Sequence, residues 1–335
     1  MIRTDRVIAA AFVVLVSTAI VGLSTGNTGA TFTGTTTNPG QILQSATVAA
    51  PASETAASAI AGRVDLSWPA TSTPANGHTV TYLVLRNGVQ VGTTAALAYS
   101  DTPPADGTYT YTVQTKIAQG AGFFTSGSSP AQSPLSDRTA PAMSVLCNGA
   151  ACGAWYNATV AVQVSGNDGA GVGMGTAATN VDGAGAVSSA APRTVNVSGE
   201  LASHSVIYSG ADAVGNASGN TTVSFGIDLT KPTAAGGISI ATGAAAGQLN
   251  VTGTSAGTDA LSGVVGYRAY YAAAGASCAA TPYASFQYFA GNPPPSPLVM
   301  TGLVSNQNYC VYLVTVDSAG NLSVASNTSN RTKAK

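Results

Sequence analysis

One short pattern occurs twice in this chain and limits what it can become. Asp212-Ala213-Val214-Gly215-Asn216-Ala217-Ser218 returns as Asp317-Ser318-Ala319-Gly320-Asn321-Leu322-Ser323, giving D-x-x-G-N-x-S in both places. Each copy follows an alternating β-prone run, Ser205 to Tyr208 in one case and Val311 to Val314 in the other. A second β-prone run follows each copy. The physics is that of a hairpin connection: a short acidic side chain accepts bonds from nearby backbone amides, and Gly-Asn supplies the positive φ angles of a tight turn. Recurrence of such a unit marks tandem copies of one supersecondary element.

The rest of the sequence agrees with many short strands. There are 39 glycines in 335 residues, and helical periodicity is scarce. Charged residues make up 7%, with 12 Lys plus Arg and a net charge of −1. Nucleic acid as a partner is excluded, because phosphate neutralisation needs clustered basic residues. The length implies two or three domains.

Arg3 and Arg6 precede an apolar run from Val7 to Leu23, and Thr28-Gly29-Ala30 offers a cleavage site. Residues 1–30 are therefore expected to be an export signal. The alternative is retention as an N-terminal membrane anchor formed by Val7 to Leu23. Residues 31–58 read as a Gly/Thr/Ala/Ser-rich linker. Within this leader, Thr25-Gly26-Asn27-Thr28 and Phe32-Thr33-Gly34-Thr35-Thr36-Thr37-Asn38-Pro39-Gly40 resemble the region after the signal in Gram-positive secreted proteins related to biofilm-fibre subunits. The resemblance stops before any fibre-forming domain.

Strands begin beyond it. Arg63 to Trp68 alternates, Tyr82 to Arg86 runs into the type I′ hairpin signal Asn87-Gly88, and Gly107 to Val113 alternates again. Trp68, Tyr82 and Tyr109 stand in the order of the strand-B Trp, strand-C Tyr and corner Tyr of fibronectin type III domains, which residues 59–137 resemble. Asp137-Arg138-Thr139-Ala140-Pro141 and Asp228-Leu229-Thr230-Lys231-Pro232 read as joints stiffened by proline. Residues 138–230, with Trp155-Tyr156, Val160 to Val164 and the first D-x-x-G-N turn, resemble bacterial Ig-like domains. Residues 231–332 again resemble fibronectin type III, with Tyr267 and Tyr309 at the strand-C and corner positions but Gly253 where the strand-B Trp belongs. The expected fold is all-β: three tandem Ig-like and fibronectin type III sandwiches behind the export segment.

Catalysis finds no constellation in the sequence. The two histidines, His78 and His204, lack a nucleophile and an orienting acid in motif spacing, and His204 falls at a corner-tyrosine position. No nucleophile elbow, zinc or P-loop motif is present. The turn aspartates Asp168, Asp212, Asp259 and Asp317 offer one carboxylate per loop beside glycines, which suits an Asx-turn better than calcium with its ~6–8 oxygen ligands. No cofactor or metal is expected. The candidate ligand contacts are Tyr283, Phe286, Tyr288 and Phe289, placed in a loop between Gly275 and Pro297 that the third unit has in excess of the second. Such aromatics either stack on sugar rings or fill the core left small by Gly253. The function expected is a non-enzymatic, secreted or cell-surface spacer or adhesion module. Its partner would be a cell-envelope or extracellular protein or a polysaccharide, and the alternative is a carbohydrate-binding accessory protein. No sorting motif follows Asn330, so attachment would rest on the N-terminal segment or a partner.

An exported chain with four cysteines should pair them. Cys147 and Cys152 enclose the turn-forming Asn148-Gly149-Ala150-Ala151, while Cys278 and Cys310 share the third unit. By period-two alternation Cys310 points away from the face of Tyr309, Val311 and Leu313, toward a loop bearing Cys278. Non-reducing peptide mapping should recover Cys147–Cys152 and Cys278–Cys310 peptides and no cross-domain pair. Loss of the second bond should lower the stability of its domain by about 3–4 kcal/mol on the chain-entropy argument for a loop of about 33 residues.

Overall fold

The computed structural model describes residues 48–72, 78–119, 122–252 and 255–335. The export segment, most of the linker and Gly253 lie outside the described residues. Among those described, every regular element apart from one 3-10 turn is a strand, and no helix is long and apolar enough to cross a membrane.

The first sandwich contains β1 (Thr55–Ser58), β2 (Val64–Ser67), β3 (Val80–Arg86), β4 (Val89–Thr94), β5 (Ala98–Asp101), β6 (Gly107–Thr108), β7 (Tyr111–Gln119), β8 (Gly122–Thr125) and β9 (Leu135–Ser136). A β1-β2-β5 sheet faces a β4-β3-β7-β8 sheet, with β6 and β9 paired separately. The first strand begins at Thr55, inside the stretch expected to be linker, because Thr55 to Ser58 pairs in register with Ser67 to Val64. Between the sheets lie Val64, Leu66, Trp68, Tyr82, Val84, Tyr111 and Val113, with Trp68 edge-on to Tyr82 at 5.5 Å between ring centroids. The Asn87-Gly88 hairpin forms as its residues require, with φ of 50° and 79°, the left-handed region that glycine and asparagine tolerate best.

The second sandwich contains β10 (Ala142–Cys147), β11 (Trp155–Tyr156), β12 (Val160–Asn167), β13 (Met174–Val181), β14 (Val187–Ala190), β15 (Arg193–Val197), β16 (Leu201–Asp212) and β17 (Thr221–Ile227). Its sheets run β10-β12-β15 and β11-β17-β16-β13-β14. The third contains β18 (Ser239–Thr242), β19 (Leu249–Thr252), β20 (Val264–Ala273), β21 (Ser285–Ala290), β22 (Leu298–Met300), β23 (Asn308–Asp317) and β24 (Thr332–Lys333). Here β18-β19-β22 faces β21-β20-β23-β24. The chain divides into two compact units: one runs to Thr139 and includes Ala170–Val172 and Val214–Asn216, and the other holds the remainder to Lys335.

Strand β23 is buried on both faces. Tyr309, Val311 and Leu313 enter the inter-sheet core, while Cys310, Tyr312 and Val314 join Ala274 and Tyr283 in a second apolar cluster on the outer side. The disulfides are Cys147–Cys152 and Cys278–Cys310, the pairing expected from the sequence, and the second sits in that outer cluster.

The far edge of β23 is closed by serines. The amides of Val311, Leu313 and Thr315 donate to the hydroxyls of Ser329, Ser326 and Ser323, each at 2.9 Å. The same serines return their own amides to the carbonyls of those residues, at 2.8 to 3.0 Å. Three residues of the serine segment therefore match two of the strand, and the segment cannot be a regular strand. In the first sandwich Ser126 and Ser129 clamp Thr115 and Val113 in the same way. A strand amide with no ladder partner is costly to bury, and the hydroxyl supplies the missing acceptor.

Ser129 also donates to Glu54, a residue 4% exposed whose Oε1 has no partner among the described residues. Burial pushes the Glu54 carboxyl up, and the Ser129 bond offsets part of that. A folded-state value above the unfolded one means that the stabilising contribution is complete below the ordinary value of 4.5 and is lost as pH rises through the folded value. Denaturant midpoints measured upward from about pH 4 should therefore fall more steeply for the native chain than for Glu54→Gln.

Candidate functional site

The loops at one end of the third sandwich gather three acids that are far apart in sequence. Asp228 follows β17, Asp259 lies in the loop before β20, and Asp317 ends β23. One carboxylate oxygen from each lies within 4.8 Å of the others. Asp228 is 0% and Asp317 1% exposed, while Asp259 is half-buried. By sequence each turn carries a single carboxylate. Asp228 belongs to the Asp228–Pro232 joint, and the convergence comes from that joint acid meeting the two turn acids.

Backbone donors hold the three in place. Asp228 accepts from the amides of Thr230 at 3.0 Å and Ser262 at 3.1 Å. Asp259 accepts from Leu261 at 3.1 Å and Gly263 at 2.8 Å. Asp317 accepts from the Asn321 amide at 2.8 Å and the Asn321 side chain at 2.9 Å. Asp259 and Asp228 make the bond to the amide two residues on that defines an Asx-turn, whereas Asp317 bonds the amide four residues on. No Lys, Arg or His forms an ion pair with them among the described residues. Two unit charges at this separation repel by roughly 3 kcal/mol at an effective dielectric near 20.

The asparagine of the repeated motif does more than the turn requires. Gly215 and Gly320 take the positive φ, 99° and 92°, whereas Asn216 and Asn321 do not. The Asn321 side chain instead donates to the carbonyls of Asp228 at 2.8 Å and Thr230 at 3.2 Å. In the first unit Asn216 likewise donates to the Asp137 carbonyl at 2.9 Å. This bridging role has a signal in the sequence: D-x-x-G-N and D-x-T-x-P each occur twice.

The four candidate aromatics separate by strand alternation. Phe286 to Phe289 lie on β21, paired with β20, so they occupy a strand where a loop was expected. Phe289 packs against the inter-sheet core, and Tyr283 is buried beside Tyr312, with ring centroids 5.0 Å apart. Phe286 and Tyr288 remain exposed, at 43% and 49%. The Arg268 guanidinium lies 4.9 Å from the Phe286 ring centroid, and Tyr270 tilts against Phe286 at 5.0 Å. Two aromatics beside a cation thus face solvent, and two do not.

Of the histidines, His78 is exposed and His204 is buried. His204 pairs with Asp182 at 2.7 Å through Nδ1 and with the Gly199 carbonyl at 3.2 Å through Nε2. Tyr109 donates to the Ala105 carbonyl, and the Val304 amide donates to Tyr309. The three residues thus make equivalent ties to backbone four or five positions upstream. Burial pushes the Asp182 carboxyl up, but the Ser205 amide and His204 hold it below the ordinary range. This is a structural corner: the ring nitrogens of His204 are taken by Asp182 and the Gly199 carbonyl.

No protein-family model matches the sequence. No curated protein matches it either. Among solved structures the chain is similar to the FN1–FN3 domains of chicken CNTN1, at 14% identity, covering 84% of this chain and 96% of that one with a TM-score of 0.42. It is also similar to fibronectin(III)-like modules of Clostridium thermocellum CbhA, at 15% identity, covering 52% and 94% with a TM-score of 0.31. A structure of titin domains is matched at 11% identity, covering 83% and 95% with a TM-score of 0.37.

Replacing Asn321 with Ala should destabilise the third sandwich by about 1–3 kcal/mol, because it strips donors from Asp317 and from the Asp228 carbonyl together. Urea midpoints of the variant and the native chain provide the measurement.

Proposed function

We propose that the chain is a non-catalytic spacer or adhesion module that works outside the cell, in secreted form or on the cell surface. The observation that carries this reading is the pair of disulfides, each closed within one sandwich of a tandem array. Such bonds persist in oxidising compartments and are rare in the cytosol. The low charge of the sequence and the investment of its buried acids in loop geometry support a load-bearing role over a chemical one. In this reading the partner is an envelope or extracellular protein or polysaccharide, reached by export through the N-terminal segment. A second reading, contact with polysaccharide, is favoured by the exposed row of Phe286 and Tyr288 beside Arg268, since planar aromatics stack on sugar rings.

Fractionation of cells expressing the full chain should place it outside the cytoplasm with both disulfides formed. Recovery from the cytosol with free thiols overturns the export reading. Retention on insoluble polysaccharide that falls at least about tenfold in a Phe286→Ala, Tyr288→Ala double variant would select the second reading; a tenfold change corresponds to about 1.4 kcal/mol.

A further inference from the structure

We propose that the acidic loop clusters bind a divalent cation, calcium, and that Asp228, Asp259 and Asp317 form one such site. Three carboxylates from three separate loops converge within 4.8 Å, two of them fully buried, with no cationic side chain paired to them among the described residues. Buried like charges at this spacing call for a counter-charge. The amide bonds to these acids fix their orientation but carry no full positive charge.

The independent observation is orphaned oxygen. In the second sandwich Asp168 stands at the place of Asp259. Each accepts an amide bond from a glycine a few residues on, Gly173 at 2.7 Å and Gly263 at 2.8 Å. Asp168 is 9% exposed, its Oδ1 has no partner, and its carboxylate lies within 4.8 Å of that of Asp212, the counterpart of Asp317. At the Asp228 cluster the buried hydroxyl of Ser262 also has no partner, although the Ser262 amide is bound to Asp228. A cation at the Asp168 cluster would be met by that Oδ1, and one at the Asp228 cluster would lie beside the loop that carries Ser262. The oxygens that converge are carboxylate oxygens on loops of irregular geometry. Calcium accepts such sets, whereas magnesium demands a near-octahedral one. Because Asp228 follows β17 while Asp259 and Asp317 belong to the third sandwich, a bound ion would fasten the Asp228–Pro232 joint to that sandwich.

The test uses the full chain stripped with EDTA, titrated with calcium chloride by calorimetry and followed by thermal unfolding. Saturable binding in the range of about 10⁻⁴–10⁻³ M is expected, as for extracellular modules, together with a rise in the melting temperature and slower proteolysis near Asp228–Pro232. Asp259→Asn, at a half-exposed position, should remove the component belonging to the third sandwich, and Asp168→Asn with Asp259→Asn should remove all of it. Circular dichroism and intact Cys278–Cys310 verify that the variants are folded. Ser262→Ala supplies a milder case, weakening binding about tenfold without loss of a charge. Absence of saturable heat and of any melting shift, equal binding of magnesium, or unchanged binding by the folded double variant would overturn the proposal.

Discussion

A carboxylate can be buried only where amide donors or opposite charge replace its water, and the loop ends of this protein are built around that requirement. Asp228, Asp317 and Asp168 are each taken out of solvent, and each collects backbone amides from its own turn or a neighbouring loop. In doing so each acid fixes where its loop begins and ends. Asn321 joins two of these arrangements, because one side-chain nitrogen reaches both the Asp317 carboxylate and the Asp228 carbonyl. With few long charged side chains in the sequence, short Asp, Asn and Ser side chains bonded to the main chain carry this work.

The edge of β23 shows the same economy. A regular neighbouring strand would satisfy its amides, but the chain after Leu322 advances three residues for every two of β23. Ser323, Ser326 and Ser329 make up the mismatch by offering hydroxyl and amide together. The outer face of the strand then becomes a second apolar layer, with Tyr283 and Tyr312 packed together and Cys278 bonded to Cys310. What began as a solvent-facing side of a sheet is thus closed over by a loop, leaving Phe286 and Tyr288 on β21, beyond β20, still exposed.

Stiff loop ends, intra-domain disulfides and corner ties at Tyr109, His204 and Tyr309 all restrain the sandwiches. A cation at the acid clusters would add to this restraint, so that the firmness of the Asp228–Pro232 joint would follow the surrounding calcium level.

The sequence by itself determined the all-β class, the strand runs, the Asn87-Gly88 hairpin and the disulfide partners. Each of these follows from local rules: period-two alternation, positive-φ residues in turns, and the reach of one side chain. It also carried the serine spacing at Ser323, Ser326 and Ser329, although that signal has meaning only once the partner strand is known. Tertiary structure decided the rest. Alternation separated Phe286 and Tyr288 from Phe289 only after pairing with β20 set which face was inward. The first strand at Thr55 became visible through its pairing with Ser67. The meeting of Asp228, Asp259 and Asp317 depends on loops tens of residues apart closing on one point, and no local pattern encodes a distance between them.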